Sequence, residues 1–331
     1  MRAAIDRAER WQVPLYLAAL ALGAVVGLAS PEAGGLIEPA ITPVLALLLF
    51  VTFLGVPFGR LAAAVRDLRF AGVLVAVNFV AVPAIAWALS RLVTHDDALL
   101  VGVLLVLLTP CIDYVVVFTG LAGGDRERLL AATPLLMVLQ TVLLPGYLWL
   151  MAGPGVLAGI DPAPFVSAFV VLIVLPLALA ALVQVGARRW APIRAAERGM
   201  PRLMAPAMML TLFAVVASQV AAVAGDLLRL AGLVPLYAGF AVAAAVVGAI
   251  AGRMTRLAAA SRRALVFSAV TRNSLVVLPL ALALPPALAP AALAVVTQTL
   301  VELIVMVVLV VVVPRTIGPA KGAATAAHPA Q

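Results

Sequence analysis

Ten apolar stretches of about 20 residues each take up most of this 331-residue chain, and that length is what carries an α-helix across the hydrocarbon core of a bilayer. They fall near 13–29, 38–58, 70–90, 98–121, 129–152, 163–186, 205–224, 231–251, 264–284 and 289–313. Hydrophobic residues make up 65% of the chain and charged residues 11%, against about 45–50% and about 25% in soluble domains. A soluble globule is excluded. The stretches lack the period-2 alternation of a membrane barrel, so helices are the remaining way to satisfy backbone groups in lipid. The expected fold is therefore an all-α integral membrane protein with ten transmembrane helices. The first stretch follows Arg2, Arg7 and Arg10 as a signal peptide would. Its apolar run is longer than the usual core of about 7–15 residues, so it reads as a span.

The basic residues set the orientation. The N-terminus, the loops after spans two, four, six and eight, and the tail together hold nineteen Arg and Lys. The opposite loops hold only Arg91 and Arg229. Basic loops stay in the cytoplasm, which puts both termini there and requires an even number of spans. The pI near 10.9 follows from this distribution, and no basic element is concentrated enough to bind nucleic acid. Lys321 is the only lysine, a usage that points to a high-GC bacterial source and so to the bacterial inner membrane. One basic residue belongs to neither side: Arg272 lies inside span nine.

The Arg-rich stretch from Ala187 to Pro201 separates five spans from five. An odd number per half makes the second half enter from the opposite side, which is a 5+5 inverted repeat. The first repeat is 11–152, the second 163–314, and the Gly/Ala/Pro-rich 315–331 is expected to be a disordered tail. A spacing repeats across the halves: Cys111 precedes Gln140 by 29 residues, and Asn273 precedes Glu302 by 29.

Spans four and nine carry polar groups at depths where lipid makes them costly and therefore functional candidates. Thr109-Pro110 halves span four. Proline removes a donor and clashes with the preceding turn, so the helix should break there and restart at Cys111; a plain proline kink is the alternative. A restarted helix offers free N–H groups and a positive dipole end to an anion or a thiolate. Cys111 is the single cysteine, so it is either a small buried hydrophobe or a soft ligand making a transient metalloid contact. Span nine carries Thr271-Arg272-Asn273-Ser274. Asp113 and Arg272 are opposite charges in the two broken helices. They read as a buried ion pair fixing the crossing, or as an anion site or proton switch. Glu302 lies near the middle of span ten with Gln298 one turn earlier, the placement of a proton or cation carrier. Gln140 and Asn78 are supporting polar residues, more often interhelical glue than ligands. His95 and His328 cannot form a metal site, and no nucleotide loop, zinc motif or flanked serine nucleophile occurs. Neither an enzyme nor a cofactor is expected.

Pro110-Cys111-Ile112, with Gly124-Asp125 thirteen and fourteen residues after the cysteine, resembles the bile acid:sodium symporter superfamily, and within it the arsenical-resistance permeases that export arsenite. Asn273 with Glu302 29 residues on matches the same branch. The resemblance implies a panel of 11–60 and 163–224 and a core of 70–152 and 231–314, with spans four and nine broken and crossed. It also implies that Cys111 and Glu302 match the residues used for arsenite and for coupling. Two positions depart from it. Arg272 stands where the branch has asparagine and where sodium-coupled members carry a glutamine that helps hold sodium, and Asp113-Tyr114 stands where exporters have small or apolar residues. A fixed cation at Arg272 argues against sodium coupling.

The function expected is secondary active efflux of arsenite or a related trivalent metalloid, driven by protons. Cys111, Thr109, Arg272, Asn273 and Ser274 would face the substrate, and Glu302 and Asp113 would handle the proton. A carrier of a small organic anion, its carboxylate on Arg272, is the alternative.

Overall fold

The computed structural model describes residues 2–55, 68–112, 114–153, 170–225 and 227–318. The described residues are helical and contain no strand. In chain order the helices are α1 (Arg2–Ala29), α2 (Pro31–Gly55), α3 (Leu68–Val93), α4 (Asp97–Leu107), α5 (Tyr114–Leu121), α6 (Arg126–Ala152), α7 (Leu175–Arg189), α8 (Ala191–Gly199), α9 (Pro201–Gly225), α10 (Leu227–Ala231), α11 (Leu233–Met254), α12 (Ala259–Val270), α13 (Ser274–Leu282) and α14 (Pro290–Thr316). The start of the expected sixth span, most of the loop after the second, Asp113 and residues 319–331 lie outside the described residues, whereas Arg315 and Thr316, expected in a disordered tail, continue α14.

Large apolar side chains point outward as well as inward. Leu22 on α1, Val142, Trp149 and Leu150 on α6, Val242 on α11 and Ile304 on α14 are all exposed. Outward apolar faces on helices whose backbone bonds close internally are what lipid requires. Among the described residues four helices, α3, α6, α11 and α14 (with the short turn before it), are long and apolar enough to cross a membrane. The two halves of α2, Glu32–Ile41 and Pro43–Leu54, pass the same test together across a 41° bend.

Two groups of helices pack most closely among themselves. In one, α1 and α2 pack on α9, and α7 packs on α2. Glycines let α1 and α9 approach: a Cβ on Gly27 would lie 2.3 Å from the Ala217 carbonyl, and one on Gly23 2.8 Å from that of Phe213. Small residues that bring backbones together are the usual basis of helix packing in membranes. In the other group α11 packs on α12 and α14, and α4 packs on α14. Gly102 marks that last contact, because a Cβ there would meet the Ala291 carbonyl at 2.6 Å.

Helix α3 is distorted where a side chain leaves it. Pro83 has no N–H for the Phe79 carbonyl, and the turn opens into a π-bulge at Val77–Ala81. The Tyr147 hydroxyl on α6 donates to the freed Phe79 carbonyl, as a broken ladder in lipid demands. Asn78 projects from this bulge, fully buried.

The turn between α5 and α6 accounts for the Gly124-Asp125 pair. Gly123 sits at φ +64, a left-handed conformation that favours glycine. Asp125 caps α6 by accepting from the Arg128 amide, and its own amide donates to the Ala260 carbonyl 3.0 Å away. Arg263 of α12 donates to the carbonyls of Ala122, Gly123 and Ile317, so one side chain joins the ends of α5 and α14. The Arg-rich connection read as a loop contains a helix of its own, α8. Arg194 turns back from it to donate to the Ala187 carbonyl at the end of α7, 2.8 Å away.

Gly102→Ala is expected to lower stability in detergent by about 1–3 kcal/mol, because a backbone carbonyl cannot move aside as a side-chain tip can. Gly146→Ala, which meets nothing within 4 Å, should be neutral or raise stability by about 0.4–1 kcal/mol. Thermal unfolding of the two variants checks this, and equal effects would contradict the packing described.

Candidate functional site

The breaks in spans four and nine are paired to each other. Helix α4 ends at Leu107, and the chain is not helical through Pro110, Cys111 and Ile112; α5 begins at Tyr114. The helix does not restart at Cys111 as expected. The Cys111 amide is engaged elsewhere, donating to the Thr271 carbonyl at 3.0 Å, while the Asn273 amide donates to the Thr109 carbonyl at 2.8 Å. These bonds flank an antiparallel bridge between Pro110 and Arg272. At such a bridge the two central N–H groups point away from the partner strand. Proline therefore loses no pairing there, and the Arg272 amide is left for a third group.

Each helix end is closed locally. The Thr109 hydroxyl donates back to the carbonyls of Leu105 and Val106 at 3.0 and 3.1 Å. The Thr271 hydroxyl donates to the Phe267 carbonyl at 2.7 Å. In a continuous helix the carbonyls of Ser268 and Ala269 would accept from the amides of residues 272 and 273. Here the Arg272 guanidinium folds back and donates to them instead, at 2.6 and 2.8 Å. It also donates to the Asn78 Oδ1 at 2.9 Å and, more weakly, to the Leu107 carbonyl at 3.4 Å. Its other face lies 5.7 Å from the Phe240 ring centre, a cation–π distance.

The guanidinium thus stands between the C-terminal ends of α4 and α12. Each end carries a partial negative charge, and a cation there is favourable by about 0.3–2 kcal/mol per helix end. Every hydrogen bond it makes to a described residue goes to a neutral oxygen. Asp113, the carboxylate proposed as its partner, lies outside the described residues. Asn78 is held in turn, its Nδ2 donating to the Leu74 carbonyl and the Ser268 hydroxyl at 3.1 and 3.0 Å.

On the other side of the bridge lies Glu302 of α14, 3% exposed. The outward Arg272 amide donates to its Oε2 at 2.7 Å. Gln298, one turn earlier, donates to the same oxygen, and the Tyr114 hydroxyl donates to Oε1. The Tyr114 hydroxyl is also 3.3 Å from the Arg272 carbonyl. Three donors around one buried carboxylate repay much of its desolvation. A crevice of about 10 Å³ runs beside Glu302 and Gln298, walled by Tyr237 and Phe240 of α11. That is room for one water at most, since a water needs about 10–15 Å³.

The structure therefore brings Thr109, Cys111, Arg272, Asn273 and Glu302 to a single crossing, with Gln298 and Asn78 bonded to it. Cys111 is fully buried. Asn273 caps α13 through its Oδ1, while its Nδ2 has no hydrogen-bond partner. Ser274 is buried as the first residue of α13. Gln140 is buried on α6 with its Oε1 unpartnered, and no hydrogen bond described joins it to the crossing. Two further participants carry no sequence signal for their role: Tyr114, which reads as a departure within an apolar run, and Phe240, which reaches the site from a position with no polar pattern or spacing to mark it. Ser268 opens the polar stretch of span nine one helical turn before Arg272. Among the described residues, no group of three or more His, Cys, Asp and Glu gathers to hold a metal ion.

Helices broken and paired within an apolar bundle are a recurrent feature of solute transporters, where the irregular backbone is tolerated because it is buried in protein or lines a cavity. Residues 42–226, more than half of the 331, match the family model described as the sodium bile acid symporter family. The chain belongs to that family and is a membrane transporter, its relatives being transporters and not enzymes. The match contains the first break but ends before α11, so Arg272 and Glu302 lie beyond it. No curated protein matches the chain.

Asn78→Leu is expected to destabilise the protein by about 1–3 kcal/mol, because it leaves a buried guanidinium short of an acceptor. In a double-mutant cycle with Arg272→Met the two changes should couple by about 0.5–3 kcal/mol. Additive effects in chemical unfolding would contradict the bond between them.

Proposed function

We propose that this transporter is a secondary active carrier that exports arsenite or a related trivalent metalloid in exchange for protons. It would use ten membrane-crossing helices in two inverted halves, with α4–α5 and α12–α13 as the fourth and ninth spans. The helices α1, α2, α7 and α9 would form a panel against which the remaining core moves. Both termini would be cytoplasmic, in the inner membrane of a bacterium. The observation that carries this reading is the meeting of Cys111, Asn273 and Glu302 at one backbone bridge.

The chemistry divides by residue. Arsenite at neutral pH is an uncharged trihydroxide with a soft central atom, so it needs a thiol for the atom and amides for the hydroxyls. The Cys111 thiol supplies the first, and the unpartnered Asn273 Nδ2 is a donor available for the second. A single thiol can bind and release, as a permease requires, where a closed set of thiolates would retain the metalloid. Glu302 is the proton carrier: a buried carboxyl bonded to three donors, one of them an amide of the bridge itself. Occupying the site would then be linked to its protonation through Arg272.

The Nη atoms of Arg272 are committed to the Leu107, Ser268 and Ala269 carbonyls and to Asn78, with only its buried Nε left without a partner, and this speaks against using the guanidinium to hold a substrate carboxylate. Withdrawing it would leave the carbonyls of Ser268 and Ala269 without donors in a buried site, at a cost of about 1–3 kcal/mol each. Arg272 is better suited to fasten the crossing than to meet a substrate.

Arsenite uptake into everted vesicles under an imposed pH gradient tests the proposal. Cys111→Ser and Glu302→Gln are each expected to lose most gradient-driven uptake while still reaching the membrane. Unchanged uptake in both, or uptake of carboxylates but not arsenite, would overturn it.

A further inference from the structure

The Tyr114 hydroxyl has one proton, which it donates to Glu302 Oε1; the Arg272 carbonyl 3.3 Å away is a second acceptor, and the Ser274 hydroxyl also lies against it. The three groups belong to three elements: Tyr114 opens α5, Arg272 is the centre of the second break, and Glu302 is on α14. The crevice adjoining the site is about 10 Å³, room for about one water, so the hydrogen bonds of a carboxyl that gains or loses a proton fall mainly to the side chains around it.

A carboxylate only accepts hydrogen bonds, whereas a carboxylic acid must also donate one. Glu302 has donors on both oxygens: the Arg272 amide and Gln298 on Oε2, and Tyr114 on Oε1. The backbone amide cannot turn round to become an acceptor. A phenol can, because its O–H rotates about the C–O bond and its oxygen keeps lone pairs free. We infer that Tyr114 is a two-position hydrogen-bond switch: it donates to Glu302 when the carboxyl is ionised, and accepts from protonated Glu302 while donating to the Arg272 carbonyl. Tyr114 is here a positioning residue acting through Glu302. This inference rests on the reading of Glu302 as a proton carrier and adds the means by which its charge state reaches the helix break.

Proton balance is simple. Glu302 gains one proton on Oε1, and that O–H donates to the Tyr114 oxygen. Tyr114 keeps its own proton and moves only the direction in which it points. One hydrogen bond passes from α14 to the residue at the centre of the bridge. The titratable or charged groups around Glu302 among the described residues are Tyr114 from α5, Cys111 from the first break, Arg272 from the second and Tyr237 from α11. Tyr237 is already committed, donating to the Ala294 carbonyl at 2.9 Å. Gln298 is the competing acceptor, since its Oε1 is buried without a partner and a turned amide would present it to the acid.

Infrared difference spectra of the purified transporter in lipid, taken as pH is lowered, test the inference. A carboxylic-acid carbonyl band that appears on acidification and is lost in Glu302→Gln belongs to this residue. In Tyr114→Phe the band is expected to move to higher wavenumber, as an acid that no longer donates a hydrogen bond, and in Gln298→Leu to stay in place. A band unmoved in Tyr114→Phe, or moved only in Gln298→Leu, would overturn the switch while leaving the carrier reading intact. Absence of any band lost in Glu302→Gln would overturn both. A measurement on the unsubstituted chain gives a second check: with ring-labelled tyrosine, one of the four tyrosines should change its C–O vibration at the pH where the acid band appears. No tyrosine change there would also overturn the switch.

Discussion

A backbone carbonyl buried among apolar helices has no water to turn to, and the crossing of two broken helices is organised by that constraint. Breaking α4 from α5 and α12 from α13 frees amides and carbonyls where an unsatisfied one costs several kcal/mol in hydrocarbon. The two breaks answer each other through the Cys111–Thr271 and Asn273–Thr109 bonds. What the bridge leaves over, side chains take up. Thr109 and Thr271 close their own helix ends, and the Arg272 guanidinium closes α12 while reaching α4. Two helix C-termini brought together would repel. A cation placed between them turns that liability into a fastening, and Asn78 of the α3 bulge fixes where the cation sits.

The same residue acts in two directions. The Arg272 side chain serves the C-terminal ends of two helices, and its amide serves Glu302. The guanidinium and the carboxyl are thus held on opposite sides of one peptide unit, the first mainly by carbonyls and the second by one amide, Gln298 and Tyr114. Under the proposed function, a change in the charge of Glu302 would act on the amide, on Tyr114 and on the bridge directly, with no need for a long relay.

How much of this could be read from residues alone depended on whether the signal was local. The apolar runs and the two breaks were legible because length and Thr-Pro or Thr-Arg-Asn interruptions are local patterns. Glu302 and Gln298 were legible because one helical turn separates them. Arg272 was singled out by counting charges, yet its surroundings were not foreseeable: an acid in the other break suggested an ion pair, whereas its hydrogen bonds to described residues are to three carbonyls and an amide oxygen. Carbonyls carry no mark in a sequence. The later start of α5, at Tyr114 rather than Cys111, has the same origin, since the Cys111 amide is drawn to the Thr271 carbonyl 160 residues away. The role of Tyr114 was not legible, because a tyrosine in an apolar run looks like packing until its hydroxyl is seen against Glu302.

Hydrogen–deuterium exchange at the amides of Cys111, Arg272 and Asn273 tests the paired breaks most directly. The account predicts protection of all three close to that of the buried middle of α14, with exchange at Arg272 quickened in Glu302→Leu, which removes its acceptor. Rapid exchange at these amides in the unsubstituted protein, as in an open loop, would contradict it.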